Sequence, residues 1–161
     1  MPRVALREAV FEALKNAVAS ALPDAEVTRN DPDPASSEAV FPRINTLDGR
    51  HTTSETETAG EVFYSFEWMV EGWVKIQTDD LRLSLASDLN ALQAAVIEAM
   101  VLEGALELPF QEGTLEIWVE EPDFDLAIQG VTTNQTPTAS FLQSYEVTLR
   151  WPRGRPFIDL L

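Results

Sequence analysis

Histidine, carboxylate and serine side chains are where chemistry would begin in this chain, and none falls in a catalytic pattern. His51 is the only histidine. Imidazole titrates near neutral pH and binds transition metals, so a histidine-based metal site here would have to be shared between subunits; the plainer expectation is a solvated loop histidine. The acidic run Glu120, Glu121, Asp123 and Asp125 around Pro122 offers oxygen ligands to a hard divalent cation, but it lacks the spaced ligands and turn glycine of a calcium loop. A solvated strand end is the simpler reading. Asp79 and Asp80, with Thr78, suit a helix N-cap better than a proton-transfer pair, which needs a cleft that drives two pKa values apart. A serine nucleophile would want a G-x-S-x-G elbow and a histidine partner; neither that arrangement nor a phosphate-cradling GxGxxG or GxxxxGK is present. Cysteine is absent, which removes thiolates, cysteine zinc sites and disulfides. The expectation is a non-enzymatic chain with no catalytic, cofactor or metal residues.

The elements that would position contact residues are clearer. Leu6, Val10, Leu14, Val18 and Leu22 recur every four residues, which predicts an amphipathic helix that Pro23 stops. Ala25–Arg29 reads as a short strand, residues 30–38 as a linker, and Val40–Thr46 as an extended segment in which Pro42 marks a strand start or an edge. Val62, Tyr64, Phe66, Trp68, Val70, Val74 and Ile76 share one parity, so they share one sheet face, with Ser65, Glu67, Glu71 and Lys75 on the other. At about 3.3 Å per residue that run reaches roughly 50 Å, well beyond an ordinary strand. It predicts a strand that leaves its own core. Leu81, Leu85, Leu89, Leu92, Val96 and Met100 predict a second helix, with Gly104 placed to end it. Strands follow over Thr114–Glu121 and along Phe141, Tyr145, Val147, Leu149 and Trp151, with residues 128–140 as an exposed loop between them.

Two apolar helix stripes and one apolar sheet face predict an α+β fold: a two-layer sandwich, a mainly antiparallel or mixed sheet of four to five strands, both helices on one face, and a projecting β-arm. The whole chain, 1–161, reads as one domain, with a polar arm or loop at 47–61 and a short C-terminal tail at 152–161. The residues expected to meet a neighbour are Asp48, Arg50, His51, Glu55 and Glu57 on the arm, Trp73 beside Gly72, and Arg153 and Arg155 in the basic tail. Twenty-seven acidic residues against eleven basic give a formal charge of -16, which argues against tight nucleic-acid binding. No apolar run approaches the length of a membrane helix, and Arg7, Glu8, Glu12 and Lys15 break up the first apolar segment, so no export signal is evident.

An opening helix LREAVFEALKNAV, an extended VFPRINTLDG, a polar loop, the long strand GEVFYSFEWMVEGWVKI, a helix DLNALQAAVIEAM and a final strand SYEVTLRW together resemble the tail terminator, or tail completion, proteins of long-tailed bacteriophages and related gene-transfer particles. The similarity runs from Leu6 to Trp151 and consists of element order and segment character. Departures are the Asp31–Glu38 insertion and the loop at 128–140. The resemblance implies a structural virion protein that assembles in the host cytoplasm as a homo-oligomer, a hexameric ring in the tail or neck region. Such a ring caps the tail tube, stops its polymerisation and provides the head–tail joining surface. Its implied partners are the tail tube protein and a head–tail connector or neck protein, with DNA passing through the lumen and no membrane involved. Another connector adaptor of the same particle is the alternative. A small-molecule binding or enzymatic domain is a further one, and it would need a concave pocket with convergent polar groups. On the arm reading, removal of residues 49–60 should leave a folded protein that no longer assembles.

Overall fold

The computed structural model describes residues 3–36, 39–58, 60–75, 83–101, 104–120 and 138–161. After a short strand β1 (Arg3–Ala5), helix α1 spans Leu6–Ala21 and buries Leu6, Val10, Leu14 and Val18. The stripe repeats nearly every turn, so the helix has one apolar face to hide. It closes where the Leu22 amide donates to the Val18 carbonyl at 2.9 Å, one residue before Pro23. Helix α2 spans Leu83–Met100 and buries Leu89, Leu92, Val96 and Met100. The cap candidates Thr78, Asp79 and Asp80 lie outside the described residues.

The strands are β2 (Glu26–Arg29), β3 (Arg43–Thr58), β4 (Glu61–Lys75), β5 (Leu106–Phe110), β6 (Gly113–Glu120), β7 (Thr138–Pro152) and β8 (Phe157–Asp159). Six of them form one sheet in the order β2-β3-β4-β7-β6-β5, while β1 and β8 form a separate antiparallel pair. The large sheet is mixed, because β2 and β3 run parallel and every other pair is antiparallel. The architecture is the α+β arrangement expected, with more strands than the four to five read from the sequence. The extra ones are short: β1 and β8 have three residues each and β5 has five, one of them Pro109, too few for an alternation to register.

Both helices cover the same sheet face. Phe11 of α1 meets Phe66 of β4 edge-on, with ring centroids 5.8 Å apart. From α2, the buried Gln93 amide donates to Gln143 Oε1 on β7 at 3.5 Å. Trp68, Tyr145, Phe141, Ile117, Leu149 and Ile158 join them in one buried cluster. Gly72 is required at its place: a Cβ there would stand 2.1 Å from the Phe141 ring, and the ladder through Gly72 is unbroken. The expected glycine signal is therefore a close approach between strands, with no bulge at that point.

β4 is the centre of the sheet. It pairs with β7 along all fifteen residues, from Glu61 opposite Pro152 to Lys75 opposite Thr138, and with β3 from Glu61 to Trp73. The segment after Asp48, read from the sequence as a polar loop, is a strand as far as Thr58. A tight turn through Gly60, at φ 87°, joins it to β4. Polar composition misled there because an edge strand can carry β-branched threonines and charges without burying them.

Candidate interaction surface

β2 borders β3 only from Arg43 to Thr46. Beyond that point β3 continues from Asp48 to Thr58 as the outermost strand, so β3, β4 and β7 extend as a ribbon past the end of β2, with β6 still paired to β7 from Glu146 to Leu149. The register of β3 on β4 breaks twice, near the base between Asp48 and His51 and near the tip between Ser54 and Thr58. Asp48 faces Trp68 and His51 faces Phe66, which leaves Gly49 and Arg50 opposite the single residue Glu67. A Cβ on Gly49 would fall 2.4 Å from the Glu67 carbonyl oxygen, so the bulge depends on glycine at that position. One inserted residue inverts parity. Ile44, Thr46 and Asp48 face the helix layer before the bulge; His51 takes that side after it.

His51 is exposed, as expected, but it stands on a strand beside aromatic rings and not in a loop. Its imidazole stacks on Phe66 at 4.7 Å and 24°, and on Tyr64 at 5.3 Å. Desolvation by those rings, and then the positive charge of Arg7, lower the His51 pKa below its ordinary value. The sign follows from linkage: a histidine whose folded pKa is depressed stabilises the fold fully above about pH 6.5, and that contribution is lost as pH falls through the folded value. Thermal melts at pH 7.5 and 5.0 should therefore show a smaller acid-side fall in Tm for His51→Phe than for the parent. Equal falls would refute the stacking account.

Below the bulge, one guanidinium joins three elements. Arg29 on β2 donates to both Asp48 oxygens on β3, at 2.9 and 2.7 Å, and to both Glu8 oxygens on α1, at 2.6 and 2.9 Å. Glu12 stands 3.5 Å away. The Arg29 hydrogen bond holds the Glu8 carboxyl below its ordinary pKa, and the two carboxylates raise that of Arg29. Asp48, expected as a contact for a neighbour, is thus committed within its own chain. Arg7 adds a hydrogen bond to the Gly49 carbonyl. Neither arginine was singled out from the sequence, and only their spacing on a helix end and a strand end could have hinted at a shared carboxylate.

The other expected contacts are scattered. Arg50 is exposed in the bulge. Glu55 and Glu57 stand on β3 near the tip, and their side chains lie outside the described residues. Trp73, expected to be exposed, is half-buried on the sheet face away from the helices, in register with Arg43 and Ser140. The tail is not a frayed end: the Arg153 amide donates to the Gly60 carbonyl at 3.1 Å, Trp151 Nε1 donates to the Arg155 carbonyl, and β8 returns to pair with β1, burying Ile158. Arg155 forms an exposed ion pair with Glu112 at 3.0 Å. The acidic run survives here only as Glu120, since 121–125 lie outside the described residues, as does most of the loop at 128–140.

The face away from the helices carries Glu67, Glu116, Glu146 and Arg150 exposed, as expected, together with a half-buried Glu71. Near β2 it is closed by polar groups. Arg43 pairs with Glu26 and Asp31, and the fully buried Asn45 donates to Glu71 and to the Asp31 carbonyl at 3.1 Å each. Among the described residues there is no cluster of histidine and carboxylates able to hold a metal ion, and no helix is long and apolar enough to cross a membrane.

No protein-family model matches this chain, and no curated protein matches it. Among solved structures, it is similar to a chain from the virion of a native gene transfer agent (GTA) particle. The two are 13% identical with a TM-score of 0.46, over 91% of this chain and 96% of that one. A likeness of that size has no bearing on function.

Proposed function

We propose that this chain is a structural virion protein of the tail terminator type: a hexameric ring that caps the tail tube, stops its polymerisation and offers the head–tail joining surface. One observation carries the reading. From Asp48 to Thr58 the outer edge of β3 has no strand beside it among the described residues. A long bare edge invites another chain, and this one is interrupted only by the bulge after Asp48 and the irregularity after Ser54. Here it is braced by the Arg29 clamp at its base and by β4 and β7 behind it, so the ribbon is held ready in the unassembled protomer. A head-to-tail contact made through one edge closes into a ring when its rotation permits, and the net charge of -16 suits a passage that lets DNA slide without binding it. The order of elements shared with terminator proteins points the same way.

The test uses the purified protein and tubes polymerised from the tail tube protein of the same particle, imaged by negative stain. The parent should sit on one end of each tube and halt elongation. Thr52→Lys with Ser54→Lys places like charges along the bare edge, where they should abolish capping and leave Tm within a few degrees of the parent. Capping by the lysine variant at parental efficiency would refute the edge, and attachment to the portal side alone would identify a connector adaptor instead.

A further inference from the structure

The ladder between β6 and β7 stops early. Ile117 pairs with Leu149, and in the direction of the C-terminal turn β7 continues through Arg150, Trp151 and Pro152 against β4 alone. Over the same stretch β6 runs through Glu116, Leu115 and Thr114 against β5 alone. Two backbone edges thus face each other across a gap: the Pro152 carbonyl accepts from the Arg155 amide at 3.3 Å, and no ladder pair joins Arg150 and Trp151 to Glu116 and Leu115 among the described residues. The gap is a cavity of about 610 Å³. This volume lies outside the ribbon edge on which the proposed function rests.

The walls of the gap are of two kinds. Leu115, Leu149 and Trp151, all buried residues of the core cluster, supply an apolar floor. Towards the open sheet face stand Trp118, 48% exposed, and Phe63, whose ring carries the Arg150 guanidinium at 4.5 Å. Three carboxylates at the rim, Glu61, Glu112 and Glu116, outnumber two guanidiniums, Arg150 and Arg155. Arg155 is taken by Glu112, while Glu61 and Glu116 are exposed and have no ion-pair partner among the described residues. Further along the same sheet face, outside the cleft, Glu67, Glu146 and Glu120 lie directly opposite one another on three neighbouring strands, an arrangement of like charges that disfavours the sheet unless something positive meets it.

We infer that this cleft accepts an extended segment of a partner protein in which basic residues alternate with large apolar ones. Unpaired strand edges ask for main-chain donors and acceptors at strand spacing, which an extended peptide supplies. Successive side chains of such a peptide point to opposite sides. One set drops onto Leu115, Leu149 and Trp151, and the other rises to the carboxylates at the rim beside Trp118.

The test is a titration of the purified chain with a capped peptide of alternating lysine and valine, followed by the indole resonances of the four tryptophans. The alternating peptide should saturate and shift the Trp118 resonance. Peptides of the same composition with lysines and valines in separate blocks, of alternating glutamate and valine, and of the alternating lysine sequence with methylated backbone nitrogens should each bind about tenfold more weakly or not at all. Trp118→Ala and Glu116→Lys, both at exposed positions, should lower affinity about fivefold to tenfold and leave Tm unchanged. The inference is overturned if the block or N-methylated peptide binds as well as the alternating one. It is equally overturned if Trp118 does not respond or neither substitution weakens binding. Tube capping is not read in this experiment, so its outcome is independent of the proposed function.

Discussion

Arg29→Met should lower the unfolding free energy by about 2–3 kcal/mol, measured by urea denaturation at pH 7. The guanidinium is 13% exposed and the Asp48 carboxylate 18%, so removal of the arginine leaves a largely buried charge with no partner. Stranding a charge in this way costs about 3–5 kcal/mol when burial is complete. The Glu8 and Glu12 arms, 55% and 44% exposed, are screened by water and add little. Arg29→Lys should recover only part of the loss, because an ammonium cannot present paired donors to two carboxylates at once. Acid should act on the same clamp. Glu8 has a depressed pKa, so its contribution is complete above the ordinary carboxyl value of 4.5 and disappears as pH falls through the lowered one. A loss below about 0.5 kcal/mol for Arg29→Met, the range of ordinary surface changes, would mean that the clamp does not hold the base of the ribbon.

Gly72→Ala should cost about 2–3 kcal/mol, although alanine is the better strand residue in isolation. The added methyl would stand 2.1 Å from the Phe141 ring, and Phe141 is only 2% exposed, so the ring has no free space to enter. Overpacking of a close-packed core costs about 1–3 kcal/mol. Phe141→Ala alone should cost about 3–4 kcal/mol through lost burial and the cavity left behind. The informative protein is the double variant. With the ring gone the new methyl occupies part of the void, so the two losses should combine to at least about 1 kcal/mol less than their sum. Strict additivity in urea melts would show that the two positions do not share that space.

Much of the architecture was legible from local pattern. The four-residue recurrence in α1, the α2 stripe from Leu89 to Met100, and the strict alternation along β4 and β7 each report a single buried face, and burial leaves its period in the residues themselves. Pro23 and Pro42 marked true boundaries for the same local reason. Short elements escaped, since three to five residues cannot display a period; β1, β5 and β8 are of that kind. Threonines and glutamates hid the outer half of β3, because a strand at a sheet edge need not alternate.

The sites were harder to read. His51 was expected in a loop and, though exposed, lies on Phe66 because a bulge at Gly49 shifts the strand by one residue and sends His51 to the opposite face. Asp48 was expected to face a neighbour and is held by Arg29, nineteen positions away in sequence. Arg153 and Arg155 were expected to meet a neighbour, yet the turn that carries them is tied to Gly60 and Glu112 of the same chain. Nothing in the residues around Leu115 or Trp151 announces a cleft, which exists only because two ladders part company at Ile117 and Leu149.

By itself the sequence determined which long stretches fold as helix or strand, which face of each is buried, and the acidity of the whole. These depend on near neighbours along the chain, where side-chain direction repeats with a fixed period. The tertiary structure alone decided which strands lie side by side, where the register slips, which charges find each other and which edges stay bare. Those outcomes depend on contacts between residues far apart in the chain, and a single-residue shift in pairing is enough to exchange one face of a strand for the other.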